Sequence, residues 1–245
     1  MTRKELKQQA KETMKGRWGK AIGLVLVYQI LTGAIYFLCN FIMFLGPIVF
    51  LIISVPISFG FVGALLKYAR NEEVGYLDFF TLGFDNFGKA WGITGRVILK
   101  LIGYYIGFVV STIALVAVIV ASENADSILM LGIGLVIFTV VLVCLYFLLI
   151  TKAYYYSLIE YLGNDMKELT SKEVVDKSKE LMKGHRWEFF VLQLSFIGWG
   201  MLAVLSCGIG FYFLLPYMYV TYIKFYESLL NNNVNTNNEE VIKEQ

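Results

Sequence analysis

The sequence predicts an all-α polytopic membrane protein. Six transmembrane helices are expected as three hairpins, each preceded by an interfacial amphipathic helix. Three observations lead there. Of 245 residues, 58% are hydrophobic and only 16% are charged, with a mean hydropathy of +0.64; a soluble domain is about half apolar and a quarter charged. The apolar residues gather into runs of about 20, the thickness of a bilayer. Finally, the opening segment returns near the other end. With an offset of 168, Thr2, Lys4, Glu5, Lys11, Glu12, Met14, Lys15 and Gly16 match Thr170, Lys172, Glu173, Lys179, Glu180, Met182, Lys183 and Gly184.

Each copy opens Thr-x-x-Glu, a capping box that starts a helix. Each closes on Met-Lys-Gly with a Trp just beyond and then runs into an apolar segment. In the first copy Leu6, Ala10, Met14 and Trp18 fall four apart, a thin apolar stripe on a helix otherwise rich in Lys and Gln. Such a helix lies in the interface plane and does not cross it. The first span is expected at residues 21–44, too long for the apolar core of a cleavable signal. An uncharged turn at Leu45-Gly46-Pro47 returns the chain through a second span at 48–66, where Pro56 removes a helical hydrogen bond and should kink it.

The first long polar loop, 67–96, holds Leu77, Phe80, Phe84, Phe87 and Trp91 at three- and four-residue spacing, a second surface-helix stripe weakened by Gly83 and Gly88. Spans three and four are expected at 97–120 and 128–150, joined by a turn at 121–127 whose only charges are Glu123 and Asp126. A second polar loop, 151–188, carries the repeated helix. Spans five and six follow at 189–205 and 209–223, the latter interrupted by Pro216. Residues 1–230 therefore read as a single membrane domain of three units, 1–66, 67–150 and 151–230. Units one and three share sequence; unit two shares only layout. The Asn-rich segment 231–245 reads as a disordered polar tail.

Charge sets the orientation. Of 21 Lys and Arg, seven lie in residues 1–20, five in 67–100 and seven in 151–188, and the three opposite turns have none. Basic flanks stay cytoplasmic, so both termini are expected on the cytoplasmic side of the membrane.

Chemistry-bearing patterns are few. No ionisable residue lies mid-span by this reading, which counts against an ion-coupled pathway. Polar residues within spans suit interhelical hydrogen bonds, with a solute path past Gln29 and Gln193 as the alternative. Gly103 and Gly107 form a GxxxG that suits either packing within the bundle or a dimer face. Cys39, Cys144 and Cys207 lack metal-ligand spacing and read as apolar fillers, a Cys39–Cys207 disulfide being the other possibility. His185 is the only histidine and has no partner that would suggest catalysis or metal binding. No catalytic, metal or cofactor site is expected, and no nucleic-acid partner.

Glu5-Leu6-Lys7, Ala10-Lys11 and the run from Met14 to Ala21 resemble a family of integral membrane proteins from Gram-positive bacteria defined only as a domain of unknown function. The likeness extends to Pro56 and to Leu77-Asp78-Phe79-Phe80. It implies a multi-pass bacterial membrane protein of about this size and supplies no activity or site residues.

The functional expectation rests on the cations. Lys4, Lys7, Lys11, Lys15 and Arg17, with Lys172, Lys179, Lys183 and Arg186, flank the starts of spans. The reading is a non-enzymatic module whose basic cytoplasmic face binds anionic lipid, a protein partner or a second copy of itself. The alternative is a small transporter or channel subunit with a path between hairpins.

Overall fold

A computed structural model describes residues 1–42, 44–122 and 128–243. Eleven α-helices occur among them, with no strand: α1 Arg3–Met14, α2 Trp18–Cys39, α3 Gly46–Ala69, α4 Asp78–Asp85, α5 Phe87–Ser122, α6 Ile128–Ala153, α7 Ile159–Asp165, α8 Ser171–Leu181, α9 Arg186–Leu194, α10 Ile197–Leu205 and α11 Phe211–Lys243. A short 3-10 turn, Tyr154–Tyr156, links α6 to α7. The turn expected at 121–127 lies, from 123 on, outside the described residues.

Five segments are long and apolar enough to cross a membrane: Trp18–Cys39, Gly46–Ala69, Phe87–Ala117, Gly132–Asp165 and Arg186–Leu205. The expected sixth span is the start of α11 and is not one of the five; Tyr212, Tyr217, Tyr219 and Tyr222 dilute its apolar character. Large apolar side chains such as Val109, Ile113, Val136 and Phe147 stand exposed along α5 and α6. Surface of this kind suits hydrocarbon and not water.

Both capping boxes form. Thr2 Oγ1 accepts from the Glu5 N–H and Glu5 Oε2 from the Thr2 N–H; Thr170 and Glu173 repeat the exchange at α8. These backbone donors, with the threonine side chain, hold both glutamates below the usual carboxylate range. Leu6, Ala10 and Met14 of the expected stripe are buried on α1, whereas Trp18, half-buried, opens α2; the buried face of α8 is Val174, Val175, Ser178 and Leu181. Gly16 and Gly184 then turn the chain at φ +76° and +90°, a left-handed conformation that glycine adopts without a Cβ penalty.

α4 is shorter than the stripe implied, because Asn86 ends it and Phe87 and Trp91 belong to α5. Phe79 and Gly83 face the protein, while Phe80, Phe84 and Phe87 are exposed. The aromatic side chains at Phe80, Phe84 and Phe87 therefore look outward. α4 lies directly on α3, where Gly60 meets the Phe79 carbonyl and Gly83 meets the Pro56 carbonyl so closely that a Cβ at either would overlap backbone. Pro56 leaves the Ile52 carbonyl without its helical donor, and the Trp91 indole N–H supplies one at 3.1 Å.

The fifth span is not one helix. It breaks at Ser195–Phe196 between α9 and α10. There the Ser195 hydroxyl bonds back to the Leu192 carbonyl and the Phe196 ring is buried. Cys207 and Gly208, both at positive φ, form the turn that follows. All three cysteines are free. The tail expected to be disordered continues α11 as far as Lys243. Once its first turns have formed, each further residue extends the helix at little cost, and buried Ile223, Phe225, Tyr226 and Leu229 fix its course.

α2 packs against α3, α5 against α6 and α10 against α11. The surface helices lie across these pairs: α4 on α3, α8 on α5 and the 3-10 turn after α6, and α1 on α11. The core forms where these polar-loop elements meet the spans, around Phe61, Leu65, Tyr68, Phe79, Leu158, Leu162, Phe189, Val220 and Tyr226. An ionic cluster ties its rim. Arg70 donates to both carboxylate oxygens of Asp165, Tyr226 donates to Asp165 at 2.8 Å, and Glu227 sits between Arg70 and Lys224. The acids raise the Arg70 pKa further above its ordinary value, the Asp165 hydrogen bond most of all.

Candidate functional site

Lys4, Lys7, Gln8 and Lys11 follow the i, i+3, i+4, i+7 rule and so share one face of α1, beside the face that buries Leu6, Ala10 and Met14. That polar face forms one wall of a cleft of about 920 Å³. The facing walls are apolar: Trp18 at the head of α2, Trp199, Leu202 and Ala203 from α10, and Phe213, Leu214 and Tyr217 from α11. Ser206 and Gly210 of the intervening turn also line it. Among the described residues no acidic side chain lines the cleft. Chemically it is a slot with amines on one side and aromatic or aliphatic surface on the others.

Lys7 is the best-held cation. Its Nζ donates to the Ser195 carbonyl at 3.0 Å and lies 4.1 Å from the centre of the Phe196 ring. The helix break thus exposes a carbonyl, and α1 supplies the donor. The Tyr217 hydroxyl donates to the Lys7 carbonyl at 3.3 Å, and the Lys11 amine lies 5.9 Å from the Tyr217 ring centre. Burial, with Arg3 and Lys11 nearby, pulls the Lys7 pKa below that of an ordinary lysine.

The remaining candidates divide. Lys15 is exposed and outside the cleft. Arg17 turns to the end of α3, stacks 4.5 Å from the Tyr68 ring centre and donates to the Tyr68 carbonyl and the Asn71 side chain. Lys172, Lys179 and Lys183 are exposed on or just after α8. Arg186 repeats the behaviour of Arg17: it stacks 4.0 Å from the Tyr155 ring centre and donates to the Thr151 carbonyl. It also lines a second cleft of about 270 Å³ with Phe147, Ile150, Thr151, Tyr154, Gly184, Trp187 and Phe190. Gln193 accepts from the Tyr154 hydroxyl, Gln29 is exposed on α2, and neither lines these clefts. Gly107 faces Leu145 of α6, whereas a Cβ at Gly103 would meet open space.

Sequence reasoning missed three things. The apolar walls around Trp199, Leu202 and Phe213 lie about 200 residues from Lys7, and only the helix-end repeat hints that Trp18 marks such a place. The helix break at Ser195 had no Pro to announce it. Most pointedly, the fourth apolar segment runs on to Asp165 and so includes Glu160. It lies past the end of α6 at Ala153, within the stretch read from the sequence as polar loop, and not mid-span. Glu160 is half-buried, and its carboxylate accepts from Ser58 of α3 at 3.2 Å. Among the described residues no group of three or more His, Cys, Asp or Glu is placed to hold a metal ion.

Fold and cleft together define an all-helical membrane protein with a basic, amphipathic slot where α1 meets the last helices of the chain. Its family is equally definite: residues 1–233 match the family described as "Protein of unknown function (DUF975)", to which the chain belongs. No curated protein and no solved structure matches it.

Proposed function

We propose that this chain is a multi-pass protein of the bacterial plasma membrane. Six spans form three hairpins, with both termini cytoplasmic. Its role is non-enzymatic: the cleft beside α1 takes an anionic phospholipid from the cytoplasmic leaflet. The observation that carries this is the pairing of three lysines with a long apolar slot that contains no acid. A phosphodiester fits the amines and an acyl chain fits the walls. Acyl chains gain little by leaving lipid for a groove of the same polarity, so preference comes from charge. At about 1 kcal/mol per cation near an anionic surface, three lysines favour an anionic over a zwitterionic lipid by on the order of 100-fold.

Packing supports the three-unit layout. α4 lies on α3, α8 on α5 and α1 on α11. Each surface helix thus covers the preceding unit, and the first closes on the last. That is the pattern of a pseudo-threefold ring.

The test is lipid binding by the purified protein in zwitterionic nanodiscs, titrated with phosphatidylglycerol and read by native mass spectrometry. The triple variant Lys4→Gln, Lys7→Gln, Lys11→Gln should lose the preference for phosphatidylglycerol over phosphatidylcholine. An unaltered preference refutes the reading. A second reading, a small transporter or channel subunit, draws on the break between α9 and α10, since discontinuous helices line substrate sites in transporters. Solute flux through reconstituted vesicles, abolished by changes at Ser195, would favour it over the lipid module. A protein partner or homo-oligomer on the basic face would appear in the same spectra as added mass.

A further inference from the structure

We infer that the chain carries a second, weaker seat for an anionic phospholipid, at the cleft between the head of α9 and the end of α6. This deepens the lipid-binding reading and rests on it. Its support is the recurrence of one local construction at two places. At both, a capping-box helix ends in Met-Lys-Gly with the glycine at positive φ, Gly16 and Gly184. At both, an arginine follows, stacks on a tyrosine at 4.5 or 4.0 Å and donates to a carbonyl at the end of a long helix. A tryptophan comes next, Trp18 or Trp187, and in each case that tryptophan lines a cleft.

The helices obey the same relation. In the first cleft the start of unit one faces α11, the closing helix of unit three. In the second the head of α9, the entry to the first span of unit three, faces α6, the closing helix of unit two, and α8 supplies no wall as α1 does. The second cleft has the same polarity pattern. Arg186 brings the cation, Phe147, Ile150 and Phe190 bring apolar wall, and no acid lines it. An anion of lipid origin suits that pattern, because the wall is wide and apolar while the charge is single.

Two features make this seat weaker. It offers about 270 Å³ against about 920 Å³, room for part of one chain. One cation replaces three, and its guanidinium already serves the Thr151 carbonyl through one of five N–H donors. Glu188 stands next in sequence to Trp187 and is paired with His185 at 2.9 Å, which further disfavours an anion. With two fewer cations, the second affinity should be roughly 30-fold below the first.

The experiment is again native mass spectrometry of the full chain released from zwitterionic nanodiscs with increasing phosphatidylglycerol. Two phosphatidylglycerol adducts should appear in sequence, the second at roughly 30-fold higher lipid. Trp187→Ala, at a side chain 71% exposed, should remove the second adduct and keep the first, with helix content by circular dichroism unchanged. Arg186→Gln should do the same if the chain folds, and helix content by circular dichroism checks that it does. The α1 triple lysine variant should remove the first adduct and keep the second. A first adduct with no second, or a second indifferent to Trp187→Ala, overturns this inference and leaves the first seat standing. Loss of any preference for phosphatidylglycerol in the unmodified protein overturns both.

Discussion

The hydrogen bond between Trp91 and the Ile52 carbonyl makes a quantitative claim about how α3 tolerates Pro56. Proline at position 56 cannot bond residue 52, and the indole N–H of α5 does so instead at 3.1 Å. Ile52 lies well inside an apolar segment, so lipid offers no substitute donor when the indole is removed. An orphaned acceptor costs about 1–3 kcal/mol, while hydrogen bonds between helices in membranes average about 0.6 kcal/mol. Trp91→Phe should therefore cost about 1 kcal/mol through the lost bond, plus a share for the smaller ring. A double-mutant cycle separates the two. In a Pro56→Ala background the new backbone N–H can reach Ile52, and only the ring share should remain. The assay is unfolding in mixed micelles by a denaturing detergent, followed by circular dichroism for the four proteins of the cycle. An equal cost of Trp91→Phe in both backgrounds, with coupling below about 0.3 kcal/mol, would refute this account of the kink.

Gly16→Ala and Gly184→Ala should each cost about 1 kcal/mol in the same unfolding assay, since each φ is left-handed and no atom stands within 4 Å of a new Cβ; clearly unequal costs would count against the two turns being equivalent. Gly83→Ala should be worse, about 2 kcal/mol or more, because its Cβ would drive α4 off the Pro56 carbonyl. Affinity for phosphatidylglycerol should depend on pH through Lys7, whose pKa is lowered by burial. The charged amine binds the phosphate, so affinity is complete below the lowered pKa and falls as pH rises through it. Lys7→Arg, which stays charged, should move that fall upward; a profile unchanged by the substitution would exclude Lys7 as the titrating group. Glu160→Gln keeps a hydrogen-bonding partner for Ser58 and removes a charge from an apolar segment, so it should leave stability equal or raise it by about 1 kcal/mol; a marked loss would show that the charge itself is needed.

The surface helices were the most legible part of the chain, and for a physical reason. Thr-x-x-Glu, a four-residue apolar stripe and a terminal glycine are local signals, each satisfied within one turn of the residue that carries it. Both copies fold as those signals require. Span boundaries were less legible because apolar runs record burial in lipid and not hydrogen bonding. The chain from Phe189 to Leu205 is uniformly apolar enough, yet it breaks at Ser195, where a hydroxyl competes for backbone and Lys7 receives the freed carbonyl. In the same way the fourth segment passes through the 3-10 turn at Tyr154–Tyr156 into α7 and takes Glu160 with it, which no local pattern marks.

Lys7 shows why the cleft was only half legible. Its charge and its place on α1 follow from the sequence, as does the expectation of an anionic partner. What distinguishes it from Lys4, Lys11 and Lys15 is the company of Ser195 and Phe196, which depends on α1 lying against the last helices of the chain. That closure turns a topological signal into a shaped site. Basic flanks suffice to orient a membrane protein, but they need not face one another or an apolar wall. Here three of them line a slot walled by two tryptophans and free of acids. Arg17, equally basic, is spent on the end of α3. Orientation alone would treat these cations alike; the structure separates the lysines that line the cleft from Arg17, which fastens a helix, and from Arg186, which does both.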